Sequence, residues 1–176
     1  MQKRGCDLMP EAGVVFLENI ANKLDEVSND WRMFMHKKTG EFVSFQNDHL
    51  GAAEDLESED ELGQYREWER DEIREAVEFL SRWDEYVELP SQYDIHEYQI
   101  MEAFAEATPD PHNQELLFVA LSGKGAFRRF KDTLIRARLE NEWYAYRFLA
   151  YIDIAREWCE DNEIACSMKD KKAAGS

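Results

Sequence analysis

The chain has 176 residues, with 21 Lys plus Arg against 38 Asp plus Glu and a formal charge of −17 when the histidines are neutral. That excess of carboxylates speaks against general binding to duplex DNA or to anionic lipid, both of which attract cations. Apolar residues at 44% and aromatic residues at 12% supply material for a real core and argue against wholesale disorder. The length suits one domain over residues 1–166, followed by a disordered tail over 167–176 that carries Lys169, Lys171 and Lys172. No run approaches the ~20 apolar residues of a membrane span. Asp7, Pro10, Glu11 and Gly13 interrupt the stretch that a signal peptide would need unbroken, so a cytoplasmic location is expected.

Over 14–27, Leu17, Ile20, Ala21, Leu24 and Val27 recur at spacings of three and four, with Glu18, Asn19, Asn22, Asp25 and Glu26 on the other arc, which predicts an amphipathic helix. Residues 31–37 and 41–45 are rich in β-favouring side chains and flank Lys38-Thr39-Gly40, the pattern of a hairpin. Trp31, Met33 and Met35 share one of its faces and Arg32, Phe34 and His36 the other. One face is expected to pack on a helix, because two strands alone are marginal. Residues 53–63 hold few apolar side chains and read as a solvated acidic linker. Ile73, Ala76, Val77, Leu80 and Trp83 then predict a helix over 64–83, and residues 86–89 before Pro90 a third strand.

Asp94 followed by Glu97 has the spacing of a helix cap, and Ile95, Tyr98, Met101, Phe104 and Ala105 continue a stripe behind it. Pro109 closes that helix and Asp110-Pro111 opens the next, which runs through 115–121 to Ser122-Gly123. Phe127, Phe130 and Leu134 lie on one face of a further helix. Over 140–162, Trp143, Tyr144, Phe148, Tyr151, Ile152, Ala155 and Trp158 span an arc wide enough to predict a helix enclosed on several sides. The expected fold is therefore α+β, a mainly helical single domain of about six helices with a small antiparallel sheet built on the N-terminal hairpin. Its core is expected to hold Phe104, Leu117, Phe127, Phe130, Leu134, Phe148, Ile152 and Trp158.

Charge is sorted along the chain. Between residues 54 and 88 there are fifteen Asp or Glu against four Arg, a local charge of −11. Between 122 and 138 there are six cations and one acid, a local charge of +5. The glycines of Gly123-Lys124-Gly125 free backbone amides at a helix start, and Lys124 with Arg128 has the makings of an anion site. It is not a phosphate loop of the G-x-x-x-x-G-K-[ST] type, since Gly125 and Ala126 stand where Lys and the hydroxyl belong. The competing reading is a tight turn between helices, with its arginines paired to the acidic segment.

Other chemistry is weakly signalled. His36, His49, His96 and His112 have no metal-ligand spacing. A partial calcium-loop frame begins at Ser58, with Gly63 at its turn and Glu69 at its end, but Ser58 is a poor first ligand and Leu62 cannot coordinate. No nucleophile motif is present. The five tryptophans, Trp31, Trp68, Trp83, Trp143 and Trp158, sit on helical or strand stripes and are expected in the core rather than as base-stacking platforms. Cys6, Cys159 and Cys166 read as buried or incidental thiols of a reducing compartment. In one straight helix Cys159 and Cys166 would stand ~10.5 Å apart along the axis, beyond the ~7 Å limit for a disulfide. They can pair only if that helix ends between them.

Gly123-Lys-Gly-Ala-Phe-Arg-Arg-Phe-Lys131 resembles the bacterial Uncharacterised Protein Family 0158. Leu17-Glu-x-Ile20, Lys38-Thr-Gly-Glu-Phe-Val43, Met101-x-x-Phe104, Leu116 to Leu121, Trp143-Tyr144 and Glu157-Trp158 support the likeness. The resemblance implies a small bacterial cytosolic α+β domain, with no established activity and no functional residues to carry over. The expected function is that of a non-enzymatic interaction or regulatory protein with a protein partner and neither cofactor nor metal. Its contact surfaces would be the basic helix, through Lys124, Arg128, Arg129, Arg136 and Arg138, and the acidic helix, through Glu67, Asp71, Glu75 and Glu78. Two alternatives stand beside it: binding of RNA, single-stranded nucleic acid or a nucleotide phosphate through 124–138, and an acidic mimic of nucleic acid formed by 54–88.

Overall fold

The computed structural model describes residues 13–169. The readings that concern the absence of a leader before Gly13, the thiol of Cys6 and the tail beyond Lys169 lie outside these residues. In chain order the elements are β1 (Val15–Phe16), α1 (Leu17–Asp25), β2 (Trp31–His36), β3 (Phe42–Gln46), α2 (Asn47–Asp55), α3 (Glu67–Ser81), β4 (Tyr86–Glu88), α4 (Gln92–Ile95), α5 (Glu97–Ala107), α6 (Pro111–Leu121), α7 (Ala126–Ala137), α8 (Glu140–Asp161) and β5 (Cys166–Ser167). This is the mainly helical α+β fold expected. Among the described residues no helix is long and apolar enough to cross a membrane.

The antiparallel sheet has the order β3-β2-β4, with Phe34 paired to Val43 on one side and to Glu88 on the other. Successive side chains of a strand leave opposite faces, and here both faces are covered, in contrast to the single covered face expected of the hairpin. Phe34 and Met35 are each 0% exposed, yet they belong to different cores. Met35 joins the larger core, made by α1, α5, α6, α7 and α8. Phe34 joins a smaller one, where α2 and α3 pack through Leu50, Ile73, Ala76 and Phe79. The rings of Phe34 and Phe79 stand 4.6 Å apart and those of Phe45 and Phe79 4.8 Å apart, which seats α3 on the sheet.

Four local expectations are corrected. The acidic segment 53–63 is not a free linker: α2 runs into it, a 3-10 turn occupies Glu59–Gln64, and Leu62 is buried in the smaller core. Leu62, with Ala53 and Leu56 packed into the same core, anchors the segment. In α3 it is Phe79 that faces the sheet, while Val77 is exposed and Trp83 lies past the helix end, out of its periodicity. Asp94 is not the cap residue. It is the third residue of α4, and its carboxylate accepts from the backbone N–H of Ser91 at 2.8 Å and from its hydroxyl at 2.7 Å. Ser167 belongs to a strand: β1 and β5 pair in parallel, Val15 with Cys166 and Phe16 with Ser167.

The core list is corrected in two places. Phe130 and Leu134 are buried beside Ala126 and Thr133, and Phe130 meets Trp143 with ring centres 4.9 Å apart. Phe127 is 52% exposed and Phe148 36%, so α7 is turned one residue from the expected face and α8 buries a single side rather than several. Trp143 and Trp158 are buried as expected, whereas Trp31, Trp68 and Trp83 are exposed.

Candidate functional site

The α6–α7 turn is built on two glycines. Gly123 and Gly125 have φ of +75° and +77°, a backbone region open to glycine at no steric cost. Arg129 folds back into this turn and donates to the carbonyls of Ala120 at 3.1 Å, of Ser122 and of Lys124. A Cβ on Gly125 would stand 3.3 Å from Nη1 of Arg129, so this glycine serves both the φ and the guanidinium. The carbonyls of the turn thus converge on a cation of the protein's own. That arrangement favours the helix-turn reading of Gly123-Lys124-Gly125 over a phosphate cradle, in which amides point at the ligand.

The predicted basic residues divide into two groups. Arg129 is engaged within the turn, and Arg136 bonds the hydroxyl of Thr133 at 3.3 Å. Lys124, Arg128 and Arg138 are exposed and have no carboxylate partner among the described residues, and Lys131 shares that state. With Phe127 and Ile135, both more than half exposed, they form a mixed basic and apolar face along α7. Arg138 has a φ of +57° at the end of this helix, and the N–H of Leu139 returns to the carbonyl of Leu134 at 2.9 Å, a helix stop usually given to glycine.

On the acidic side, Glu67, Asp71, Glu75 and Glu78 are all exposed on α3. Asp71 pairs with Arg74 at 3.0 Å, and Arg74 also reaches Glu59. Glu67, Glu75 and Glu78 have no cation partner among the described residues. Glu69, the last residue of the calcium-loop frame, instead accepts the N–H of Arg66 at 2.9 Å at the start of α3. The polar contacts of this region stay within it or tie it to the sheet and to α2: Arg82 pairs with Glu85 and Arg32 with Glu88, while His36 Nε2 lies 3.3 Å from Glu85 and His49 Nδ1 2.6 Å from Glu72. The Arg82 guanidinium, and then His36, hold the Glu85 carboxyl below the usual range. No ion pair among the described residues joins the acidic segment to α7, so their mutual neutralisation is not seen.

Beside the α7 face lies a trough of about 660 Å³, with Phe127 and Lys131 on one wall and Tyr93, His96, Tyr98 and Tyr144 around the rest of its rim. Among its lining residues is a network that sequence reasoning missed and that joins three helices. Arg147 of α8 donates Nε to Glu97 of α5 at 2.6 Å, Nη1 to Asp25 of α1 at 2.5 Å and Nη2 to the Tyr151 hydroxyl at 2.6 Å. That hydroxyl in turn donates to the other Glu97 oxygen at 2.6 Å. Burial, then the bond to Glu97, pushes the Tyr151 phenol well above its ordinary range, so it stays a neutral donor. The only signal available beforehand was the four-residue spacing of Arg147 and Tyr151; their acids lie 50 and 122 residues away from Arg147.

Every charged member of the network is engaged, so it acts as a clamp between helices rather than as a free acid or base. The trough lining contains no Ser, Thr or Cys, and among the described residues no group of three or more His, Cys, Asp or Glu is placed to hold a metal ion. Comparison of the chain with protein-family models, with curated proteins and with solved structures returned no match to any of them.

Proposed function

We propose that the chain is a non-enzymatic interaction protein that docks a protein partner through the basic and apolar face of α7. The observation that carries this reading is that Lys124, Arg128, Lys131 and Arg138 lie exposed beside Phe127 and Ile135 without carboxylate partners among the described residues. Unpaired cations interleaved with exposed apolar side chains suit an acidic segment that also brings an aromatic or aliphatic anchor. The adjoining trough, which shares Phe127 and Lys131 with this face, offers that anchor a seat. The engaged state of Arg147, Glu97 and Asp25 supports docking over catalysis at the trough. The resemblance to Uncharacterised Protein Family 0158 is kept as part of the proposal and adds no activity to it.

The reading is tested by selecting peptides from a random display library against the full chain, and against a Lys124→Glu, Arg128→Glu, Lys131→Glu variant. The expected result is a set of acidic peptides with an aromatic or aliphatic residue, bound by the parent, released by salt and lost in the variant. Equal binding by parent and variant overturns the reading. A labelled single-stranded RNA run in parallel tests the nucleic-acid alternative. That alternative requires tight binding with a steep salt dependence, and the withdrawal of Arg129 into the turn weighs against it. The unpaired acids Glu67, Glu75 and Glu78 keep the acidic mimic as a separate proposal. It is read from competition between this chain and DNA for a basic protein.

A further inference from the structure

Helix α8 ends at Asp161, between the two cysteines of the C-terminal segment. Its ending is a compact reversal. Glu163 takes a φ of +55°, its N–H bonds the carbonyl of Glu160 at 3.2 Å, and the N–H of Ile164 bonds the carbonyl of Cys159 at 2.8 Å. This closing turn lays the residue after the left-handed position back over the last helical turn, against the very residue whose carbonyl it bonds. Ile164 is thereby brought back toward Cys159, and the chain continues extended into β5.

In an extended segment residues two apart share a face, so Cys166 falls on the same side as Ile164. Both pack against the larger core, in which Cys159 is fully buried. Cys159 and Cys166 thus belong to one packed cluster, joined by the turn whose Ile164 N–H bonds the Cys159 carbonyl. The condition under which these two cysteines can pair, a helix that stops between them, is met. Cys159 is a buried thiol, as the sequence-based reading of buried or incidental thiols has it, and the turn at Glu163 supplies the helix end that the reading set as the condition for pairing.

We propose that Cys159 and Cys166 are a modification site, joined into an intramolecular disulfide by a low-molecular-weight disulfide such as glutathione disulfide. Cys166, partly exposed, attacks one sulfur of the oxidant as the thiolate and releases one small thiolate, leaving a mixed disulfide. Cys159 then gives up its proton to that released thiolate or to water and attacks the sulfur of Cys166. The bond between Cys166 and the small thiol breaks, and a second small thiol leaves. Two protein thiols are oxidised and one small disulfide is reduced to two thiols. Burial, and then the neighbouring Cys166, push the Cys159 thiol up to about 12, which gives the opening attack to Cys166 and makes Cys159 the slower, resolving group.

The bond would staple the end of α8 to β5, and through β5 to β1, whose Val15 N–H already donates to the Ala165 carbonyl at 2.9 Å.

The test uses the full chain with Cys6→Ser, folded, in glutathione redox buffers, with peptide mapping under non-reducing conditions. A Cys159–Cys166 cross-link that dithiothreitol reverses is expected. It should form at a glutathione ratio roughly tenfold or more closer to reducing than the same pair requires in urea. Oxidation should also slow amide exchange at Val15. In Cys159→Ala the Cys166–glutathione adduct should accumulate where the cross-link otherwise forms. A stable glutathione adduct on Cys166 in the presence of Cys159, disulfides found only between chains, or equal redox behaviour in the folded and urea-unfolded chains each overturns the proposal.

Discussion

Both sides of the sheet place an arginine on turn carbonyls, Arg70 on one and Arg129 on the other, and others in short-range surface pairs; they differ at Arg147, whose ion pairs join three helices. On the α2–α3 side, Arg74 and Arg82 lie on the surface and neutralise nearby carboxylates, Arg74 with Asp71 and Arg82 with Glu85. On the α5–α8 side, Arg129 holds backbone carbonyls of a turn and Arg147 clamps three helices, while Arg128 and Arg138 lie outside with no carboxylate partner among the described residues. A count of cations along the chain therefore misstates the usable charge of α7. Arg129 contributes to folding, and Lys131, absent from the predicted set, takes its place on the surface. The planar fork of arginine suits convergent carbonyls, and it is the geometry of the turn that recruits it.

The contrast breaks first at the packing level. Phe130→Ala should cost about 3–5 kcal/mol in urea unfolding because it empties a fully packed site, whereas Phe127→Ala, on an exposed ring, should stay within about 0.5 kcal/mol. Equal losses would mean that the inner and outer faces of α7 are misassigned. Arg129→Ala should cost about 2–3 kcal/mol, as several carbonyls lose a charged donor, while Arg128→Ala should leave stability within about 0.5 kcal/mol and affect binding alone. If the two behave alike, the division of the basic residues fails.

A smaller effect separates capping from charge. The Ser91 hydroxyl and N–H hold the Asp94 carboxyl below its ordinary range. A carboxyl depressed on folding contributes stability that is present above its unfolded pKa of ~4 and is lost as pH falls through its folded value. Asp94→Asn should thus lower the urea midpoint at pH 7 by the equivalent of about 1 kcal/mol, and the gap to the parent should narrow on acidification below ~pH 4. A gap independent of pH would show that the carboxylate charge is not what Ser91 recognises. Last, Arg138→Gly should raise stability by up to about 1 kcal/mol by relieving the left-handed backbone, while weakening binding to acidic peptides. A gain in stability with unchanged binding would remove Arg138 from the docking face.

Much of the architecture was legible because it rests on short-range periodicity. The hairpin, the stripe Leu17-Ile20-Ala21-Leu24, the proline start of α6 and the glycine break before α7 are local signals, and each appears where its residues call for it. Leu62 was not legible, since two leucines six residues apart among acids are too few to set a period. Nor was the choice between Phe127 and Phe130, because both lie at helical spacing from Leu134. Which of them is buried depends on where Phe104 and Trp143 stand, at ring-centre distances of 6.2 Å and 4.9 Å from Phe130.

By itself the sequence determined the mainly helical α+β class, the separation of acidic from basic segments, and the rule that Cys159 and Cys166 can meet only across a helix end. These follow from composition and from the repeat of helix and strand, which act over a few residues. The tertiary structure alone decided that the sheet is covered on both faces, which arginines face inward, and that Arg147, Glu97, Asp25 and Tyr151 converge. Those outcomes depend on contacts between residues far apart in the chain, and no local pattern encodes the direction in which a long side chain finds its partner.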